Sequence, residues 1–375
     1  MQDPAHIAAL VAWLAFALAA VFGAVANRVN FCTMGAVTDI VHMGDWRRMR
    51  MWLLAIATAI LGANILQDLG LVDLSKTIYT SSRVPWLSNI FGGLLFGFGM
   101  TLSSGCGSKT LIRAGAGNIR SLVVLLVLGI SAYMTLKGVF AVWRVSLLDP
   151  VSFDTAAMGA AHSDLPTVVE GLTGAGGFVK LAVPFIVAAL IAGFVFADRE
   201  FRTTGEMIVG GVIIGAVIVG GWYVSGHLGH LAEDPRTLEE AFIATNSGRA
   251  ESFSFVAPVA YTLELLMFWS DQSRIVTFGV AAVLGMLVGS GAMAVFMGTF
   301  RWEGFASTED LVNHLIGGVL MGVGGVTALG CTIGQGLSGV STLALGSFLA
   351  FGGIIAGSVA ALKYQYWRIV ALEPA

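Results

Sequence analysis

Charged side chains are scarce in this chain. They make up 11% of its 375 residues, where a soluble domain carries about 25%. So few charges cannot clothe a solvated globule, and with 56% hydrophobic residues the composition is that of an integral membrane protein. The net charge of −3 leaves no basic surface for nucleic acid. The alternating pattern of an outer-membrane barrel is missing, because the apolar stretches are continuous. Cysteine is scarcer still. Three residues, an odd number with no C-x-x-C pair, exclude a closed disulfide framework, a thioredoxin-type redox pair and a zinc knuckle. The first apolar run has no basic segment before it. It is also longer than the roughly 7–15-residue core of a signal peptide, so it reads as a retained span.

What is present is a series of uncharged runs. A spanning helix needs about 20 apolar residues, and runs near or above that length lie at 4–27, 51–67, 84–108, 121–136, 181–197, 207–232 and 275–300. The run 311–362 holds no Asp, Glu, Lys or Arg. It is too long for one crossing, so it must contain two, with an uncharged irregular piece between them. A weaker candidate at 252–270 is interrupted by Glu264. The count is nine or ten spans in one membrane domain. Arg47, Arg48 and Arg50 form the densest basic cluster. The positive-inside rule puts that loop in the cytoplasm and the N-terminus on the periplasmic side, with Lys109, Arg113 and Arg120 facing the cytoplasm too.

Glycine is abundant, at 49 residues, and it repeats. "NIFGGLLFGFGMTLSSGC" (89–106) overlays "HLIGGVLMGVGGVTALGC" (314–331) at an offset of 331 − 106 = 225. Four helix glycines, one leucine and the terminal Gly-Cys coincide. A weaker match sets 19–37 over 281–299 at an offset of 262, with Cys32 opposite Ala294. Duplication of this kind marks transporters whose site lies between inverted repeats. The expected repeats are about 5–145 and 275–365, joined by 146–274.

All three cysteines follow an apolar helix and open a segment that reads as helix again: "CTMGAVTDIV" at Cys32, "CGSKTLIRAG" at Cys106 and "CTIGQGLSGV" at Cys331. Irregular backbone at membrane depth is tolerated where it lines a cavity. A helix that starts there aims its free N–H groups and positive dipole end at that cavity, which favours an anion. Gly105, Gly107, Ser108, Gly330 and Thr332 are small enough for an ion to approach the backbone. A buried lone cysteine is ordinarily a small hydrophobe; two at matching repeat positions, and three at helix openings, point instead to a thiol-lined anion path. At its ordinary pKa near 8.5 a thiol is mostly neutral at pH 7. It is then a weak donor and a soft atom, suited to conducting an anion that itself carries sulfur. Cys32 lacks a mate and is expected nearer one mouth.

"NFCTMGAVTD", "SSGCGSK" and "ALGCTIGQGLSG" resemble the YeeE/YedE family of bacterial inner-membrane proteins, over most of the chain. The resemblance implies uptake of thiosulfate, with Cys32, Cys106 and Cys331 lining a central constriction between inverted repeats and the sulfur destined for cysteine synthesis. Some relatives are linked to selenium. The resemblance also implies a separate small cytoplasmic TusA-like sulfur carrier as partner, since no such domain is fused here. Segments 146–180 and 226–255 match nothing diagnostic.

Four bases could attract anions: Arg28 before the first cysteine loop, Lys109 and Arg113 after the second, and Arg301 in "GTFRWEG". Snorkelling to the interface is the plainer role for such residues. Lys137 and Glu264 interrupt apolar runs and read as a structural pair rather than a proton relay. His227 and His230 lack a third ligand and read as a loop flank. The expectation is therefore an all-α polytopic membrane protein: nine to ten transmembrane helices, short re-entrant half-helices and two pseudo-symmetric inverted repeats. It is a permease for thiosulfate that needs no cofactor or metal, with the lipid bilayer as its other partner. Rival readings are transport of a related sulfur or selenium compound, a membrane thiol-redox enzyme acting covalently through cysteine, and a structural subunit.

Overall fold

The structure is a computed structural model and describes residues 4–174, 176–235, 237–271 and 274–372. Helices dominate it. The first half holds α1 (Pro4–Arg28), α2 (Thr33–Met43), α3 (Arg47–Asp68), α4 (Trp86–Leu102), α5 (Gly107–Gly115) and α6 (Ile119–Leu136). The middle holds α7 (Val139–Trp143), α8 (Leu165–Thr173), α9 (Phe178–Phe196), α10 (Arg199–Thr203) and α11 (Gly205–Tyr223). The last part holds α12 (Ala257–Met267), α13 (Phe278–Phe296), α14 (Thr308–Thr327) and α15 (Leu345–Leu372), with a further short helix at 332–341 whose centre, Gly334–Gly339, is π-helical. Two short antiparallel ladders, β1 (Arg83–Val84) with β2 (Phe153–Asp154) and β3 (His230–Leu231) with β4 (Ala241–Phe242), cover one face.

Among the described residues, nine helical stretches are long and apolar enough to cross a membrane, which is the polytopic all-α architecture expected. The run 311–362 does divide in two, with the helix at 332–341 between α14 and α15. The weaker candidate 252–270 does not span. It yields only α12, whose 11 residues reach about 16 Å at 1.5 Å per residue, about half the hydrocarbon thickness.

Glycine permits the closest contacts, and those contacts give the helix directions. A Cβ on Gly99 would lie 2.7 Å from Gly317 O, and one on Gly317 would lie 2.6 Å from Gly99 O. Gly92 likewise faces Gly324 O and Ala328 N, while Gly324 faces Gly92 O and Gly317 faces Ser103 N. Contacts therefore recur with their numbers exchanged by 225, and α4 and α14 cross antiparallel. The flanking helices follow suit. Gly93 and Gly97 rest on the carbonyls of Ala350 and Ile354 in α15, and Gly318 and Gly322 rest on those of Val124 and Leu128 in α6.

The weaker match fares differently. Phe16 O lies under Gly285, Ala20 O under Gly289, and Asn27 Nδ2 donates to Ser290 O at 2.8 Å. Helices α1 and α13 thus run parallel, so they are not an inverted pair, and Ala294 lies inside α13 rather than at a helix opening. The short helix that resembles α2 is α12. Both have 11 residues, and "FCTMGAVTDIVHM" (31–43) overlays "FVAPVAYTLELLM" (255–267) with Phe, Ala, Thr and Met in common. Phe31 and Phe255 both pack on Phe22, at 6.3 and 6.0 Å between ring centres. The residue that stands opposite Cys32 is Val256.

Candidate functional site

Each cysteine stands two residues after a non-glycine residue in the left-handed region: Asn30 (φ 52°), Ser104 (φ 56°) and Leu329 (φ 58°). The same capping bonds end the three helices before them: Phe31 N to Ala26 O (2.9 Å), Gly105 N to Met100 O (2.8 Å) and Gly330 N to Gly325 O (2.8 Å). Left-handed backbone on such residues is uncommon and gathers at functional sites. A new helix then starts at once. Its first bond is accepted by the carbonyl at the tip: Ala36 N to Cys32 O (3.0 Å), Thr110 N to Cys106 O (2.9 Å), Gln335 N to Cys331 O (2.7 Å) and, at the fourth tip, Ala260 N to Val256 O (3.2 Å).

The half-helices leave the centre in opposite directions. α5 ends where Ile119 N meets Glu303 O, at the face that carries Arg120 and Arg301 (the basic face), and α2 ends beside Arg48, which pairs with Asp39 at 3.3 Å. The helix 332–341 ends where Leu165 N meets Leu343 O, at the face of the strands, and Glu264 in the last turn of α12 pairs with Lys137 and Arg274 on that face. Four helix N-termini therefore converge on the interior, three of them tipped by a thiol.

All three cysteines are free and buried. Cys32 and Cys106 are neighbours in that interior. Cys32 Sγ accepts from Gly35 N and Cys331 Sγ from Gly334 N, each at 3.4 Å. Cys106 Sγ lies 3.3 Å from Ser108 Oγ, and Cys331 Sγ 3.9 Å from Ser254 Oγ. Cys32 is thus in the central cluster and not toward a mouth. Thr332 is fully buried beside Cys106, and its hydroxyl has no nitrogen or oxygen partner. A Cβ on Gly105 or Gly107 would meet nothing closer than 3.4 Å, so both leave room, while Gly330 is closed off by Gln335 at 3.1 Å.

Of the four expected bases, Lys109 is at the centre. It is buried, its ammonium donates to Asn30 Oδ1 at 2.5 Å, and among the described residues it has no carboxylate partner. Arg113 donates to Ser104 O at 2.7 Å and, with Arg301, lines a polar basin of about 370 Å³ on the basic face. In that basin Arg120 is engaged by Glu303 and Asp310, both at 3.3 Å. Arg28 is not part of this arrangement, being held at an exposed position by Glu206 at 2.7 Å. On the opposite side of the cysteines a cavity of about 200 Å³ is bounded by Tyr79, Glu251, Ser254, Tyr261 and Gly330. Ser247 N donates to Glu251 at 2.7 Å, and burial holds that carboxyl above its ordinary pKa.

Lys137 and Glu264 do form an ion pair (3.5 Å), strengthened by Arg274 at 3.1 Å. His227 is spent on Leu71 O and His230 on Glu240. Sequence reasoning missed Asn30, Thr33, Ser254 and Val256. Thr33 was within reach of it, because a threonine follows the cysteine in both "FCTMG" and "GCTIG".

Residues 28–360 match the family described as "Sulphur transport". The chain belongs to that family. This sulphur-transport protein is a membrane transporter and not an enzyme. Two curated relatives are similar along nearly their whole length. One is the thiosulfate transporter TsuA of Spirochaeta thermophila, 27% identical over 341 residues that cover 90% of this chain and 94% of the relative. The other is the thiosulfate transporter TsuA of Escherichia coli K12, 28% identical over 326 residues, covering 85% and 84%.

Proposed function

We propose that this sulphur-transport protein takes up thiosulfate across the bacterial inner membrane, through a constriction formed by Cys32, Cys106 and Cys331. The observation that carries the reading is the meeting of thiol-tipped half-helix N-termini around the buried Lys109. N-termini and a lone ammonium favour an anion; soft, weakly donating thiols suit its terminal sulfur. Contacts that are individually weak let the ion leave as well as enter. The relatives' names supply the substrate.

The path runs from the cavity at Tyr79 and Glu251, past Cys331, to Cys106 and Cys32, and out through the basin at Arg113 and Arg301. Gly105, Gly107 and Ser108 border it on the basic side, Gly330 and Thr332 on the strand side. Lys109 draws the dianion inward, and Arg113 and Arg301 receive it. The positive-inside rule makes the basic face cytoplasmic and the N-terminus periplasmic. The exchanged glycine contacts support two inverted repeats, with α1–α6 set against α11–α15, a division that differs from 5–145 and 275–365 because α1 and α13 run parallel. A separate TusA-like carrier would collect the sulfur for cysteine synthesis. Radiolabelled thiosulfate uptake into vesicles containing the purified protein tests the reading; uptake no greater than in empty vesicles sinks it.

A further inference from the structure

Buried polar groups in native proteins nearly always find partners, and each exception calls for an explanation. This chain satisfies its helical threonines by back-bonding: Thr58 donates to Leu54 O (2.9 Å), Thr101 to Gly97 O (3.1 Å), Thr110 to Cys106 O (2.9 Å), Thr135 to Ser131 O (2.8 Å) and Thr327 to Val323 O (2.7 Å). Among the described residues, two buried threonine hydroxyls have no nitrogen or oxygen partner, those of Thr33 and Thr332; the Thr332 hydroxyl has the weakly bonding Cys106 thiol beside it. Both residues are fully buried. Each is the first helical residue after a cysteine tip, so no preceding helical turn offers a carbonyl to its hydroxyl. Thr332 stands beside the Cys106 thiol, and Thr33 follows Cys32, a neighbour of Cys106. The other two tips carry Gly107 and Ala257 at this position. One such threonine thus comes from a half-helix of each face, Thr332 beside the Cys106 thiol and Thr33 next in the chain to Cys32.

Thiosulfate has two chemically different ends. Its terminal sulfur is soft, and its sulfonate oxygens are hard acceptors that need strong donors once water is stripped away. Thiols donate only weakly; hydroxyls donate well. We infer that Thr33 and Thr332 are the oxygen-recognising residues of the constriction, donating their hydroxyl protons to the sulfonate oxygens while the cysteines contact the sulfur. This division of labour rests on the thiosulfate reading and adds to it what discriminates an oxyanion from an ion with fewer oxygens.

The test uses the full-length protein in vesicles, with radiolabelled thiosulfate and, as second probe, the methanethiosulfonate ion, in which a methyl group replaces one oxygen. Valine keeps the shape of threonine without the hydroxyl, and because neither hydroxyl is bonded to a nitrogen or oxygen of the protein, its loss leaves no strongly polar orphan inside it. T33V and T332V are expected to lower uptake efficiency for thiosulfate about tenfold or more, and to shrink the preference for thiosulfate over methanethiosulfonate. T33S and T332S, which restore a hydroxyl, should stay within about threefold of the unaltered protein. Wild-type thiosulfate efficiency in both valine variants overturns the inference. So does an equal loss for both ions that serine fails to rescue, since that is the signature of packing. If the unaltered protein itself takes up no thiosulfate, the underlying reading fails and this one falls with it.

Discussion

Alanine at Gly99 or Gly317 would pry apart the crossing that sets the distance between two cysteine tips. Both glycines press on backbone, which cannot rotate away. A new Cβ at Gly99 would sit 2.7 Å from Gly317 O and 2.9 Å from Met321 N; one at Gly317 would sit 2.6 Å from Gly99 O and 2.9 Å from Ser103 N. Ordinary contact begins at 3.4 Å, so helices α4 and α14 must separate by 3.4 − 2.7 = 0.7 Å in the first case and 3.4 − 2.6 = 0.8 Å in the second. Overpacking of this kind costs about 1–3 kcal/mol. The two substitutions need the same gap. Once it is opened for one methyl, the second enters at little further cost, so the double variant should lose about as much as the worse single variant, a coupling of about 1–3 kcal/mol. Gly352, whose Cβ would meet nothing within 4 Å, is the control: alanine there should be neutral or slightly stabilising. Thermal melting of the detergent-solubilised protein reads these effects. Uptake should fall in both single variants even below their melting points, because α4 and α14 end four residues before Cys106 and Cys331. A double variant whose shift is the sum of the two singles would refute the shared gap, and singles that melt with the wild type would refute the crossing itself.

The cysteines themselves come next: Cys106→Ala and Cys331→Ala should each lose roughly tenfold in uptake rate while expressing normally, and because Cys32 neighbours Cys106, Cys32→Ala should match them, so wild-type rates in all three would make the thiols packing residues. Lys109→Gln should raise the thiosulfate KM at least about tenfold, equivalent to about 1.4 kcal/mol, and an unchanged KM would remove Lys109 from the path. Glu251 carries a pH prediction: its carboxyl is held above the ordinary range by burial, so the folded state binds that proton more tightly than the unfolded chain. The stability this gives is complete below the ordinary glutamate pKa of about 4.3 and is lost as pH rises through the folded value. Glu251→Gln should therefore melt like the wild type at low pH and above it at pH 8; a variant less stable at both would mean that the ionised carboxylate is held by a partner.

The features legible in the sequence are those that local composition dictates. Uncharged runs mark the crossings, and the 225-residue offset was visible because glycines at a helix crossing tolerate no substitute. The cysteine loops showed themselves as a rare residue between two apolar periodicities. Where the reading went astray, the deciding physics was not local. The match of α1 to α13 came from glycine spacing that serves parallel packing just as well as it serves an inverted repeat, and glycine spacing carries no sign of helix direction. The likeness of α2 to α12 is faint in the sequence because valine stands in place of cysteine at the tip and only four residues in thirteen agree. Arg28 looked like an anion attractor until Glu206, 178 residues away, neutralised it. Thr33 looked like any first-turn threonine; only the full hydrogen-bond inventory shows that its hydroxyl is unspent.

The most direct test of the central claim is a side-by-side uptake measurement with radiolabelled thiosulfate, in vesicles containing the wild type, the Cys106→Ala variant, the Cys331→Ala variant or no protein. The account predicts uptake by the wild type well above empty vesicles and a loss of roughly tenfold in each variant. Uptake equal in the wild type and both cysteine variants would contradict a thiol-lined path, and wild-type uptake equal to that of empty vesicles would contradict thiosulfate transport itself.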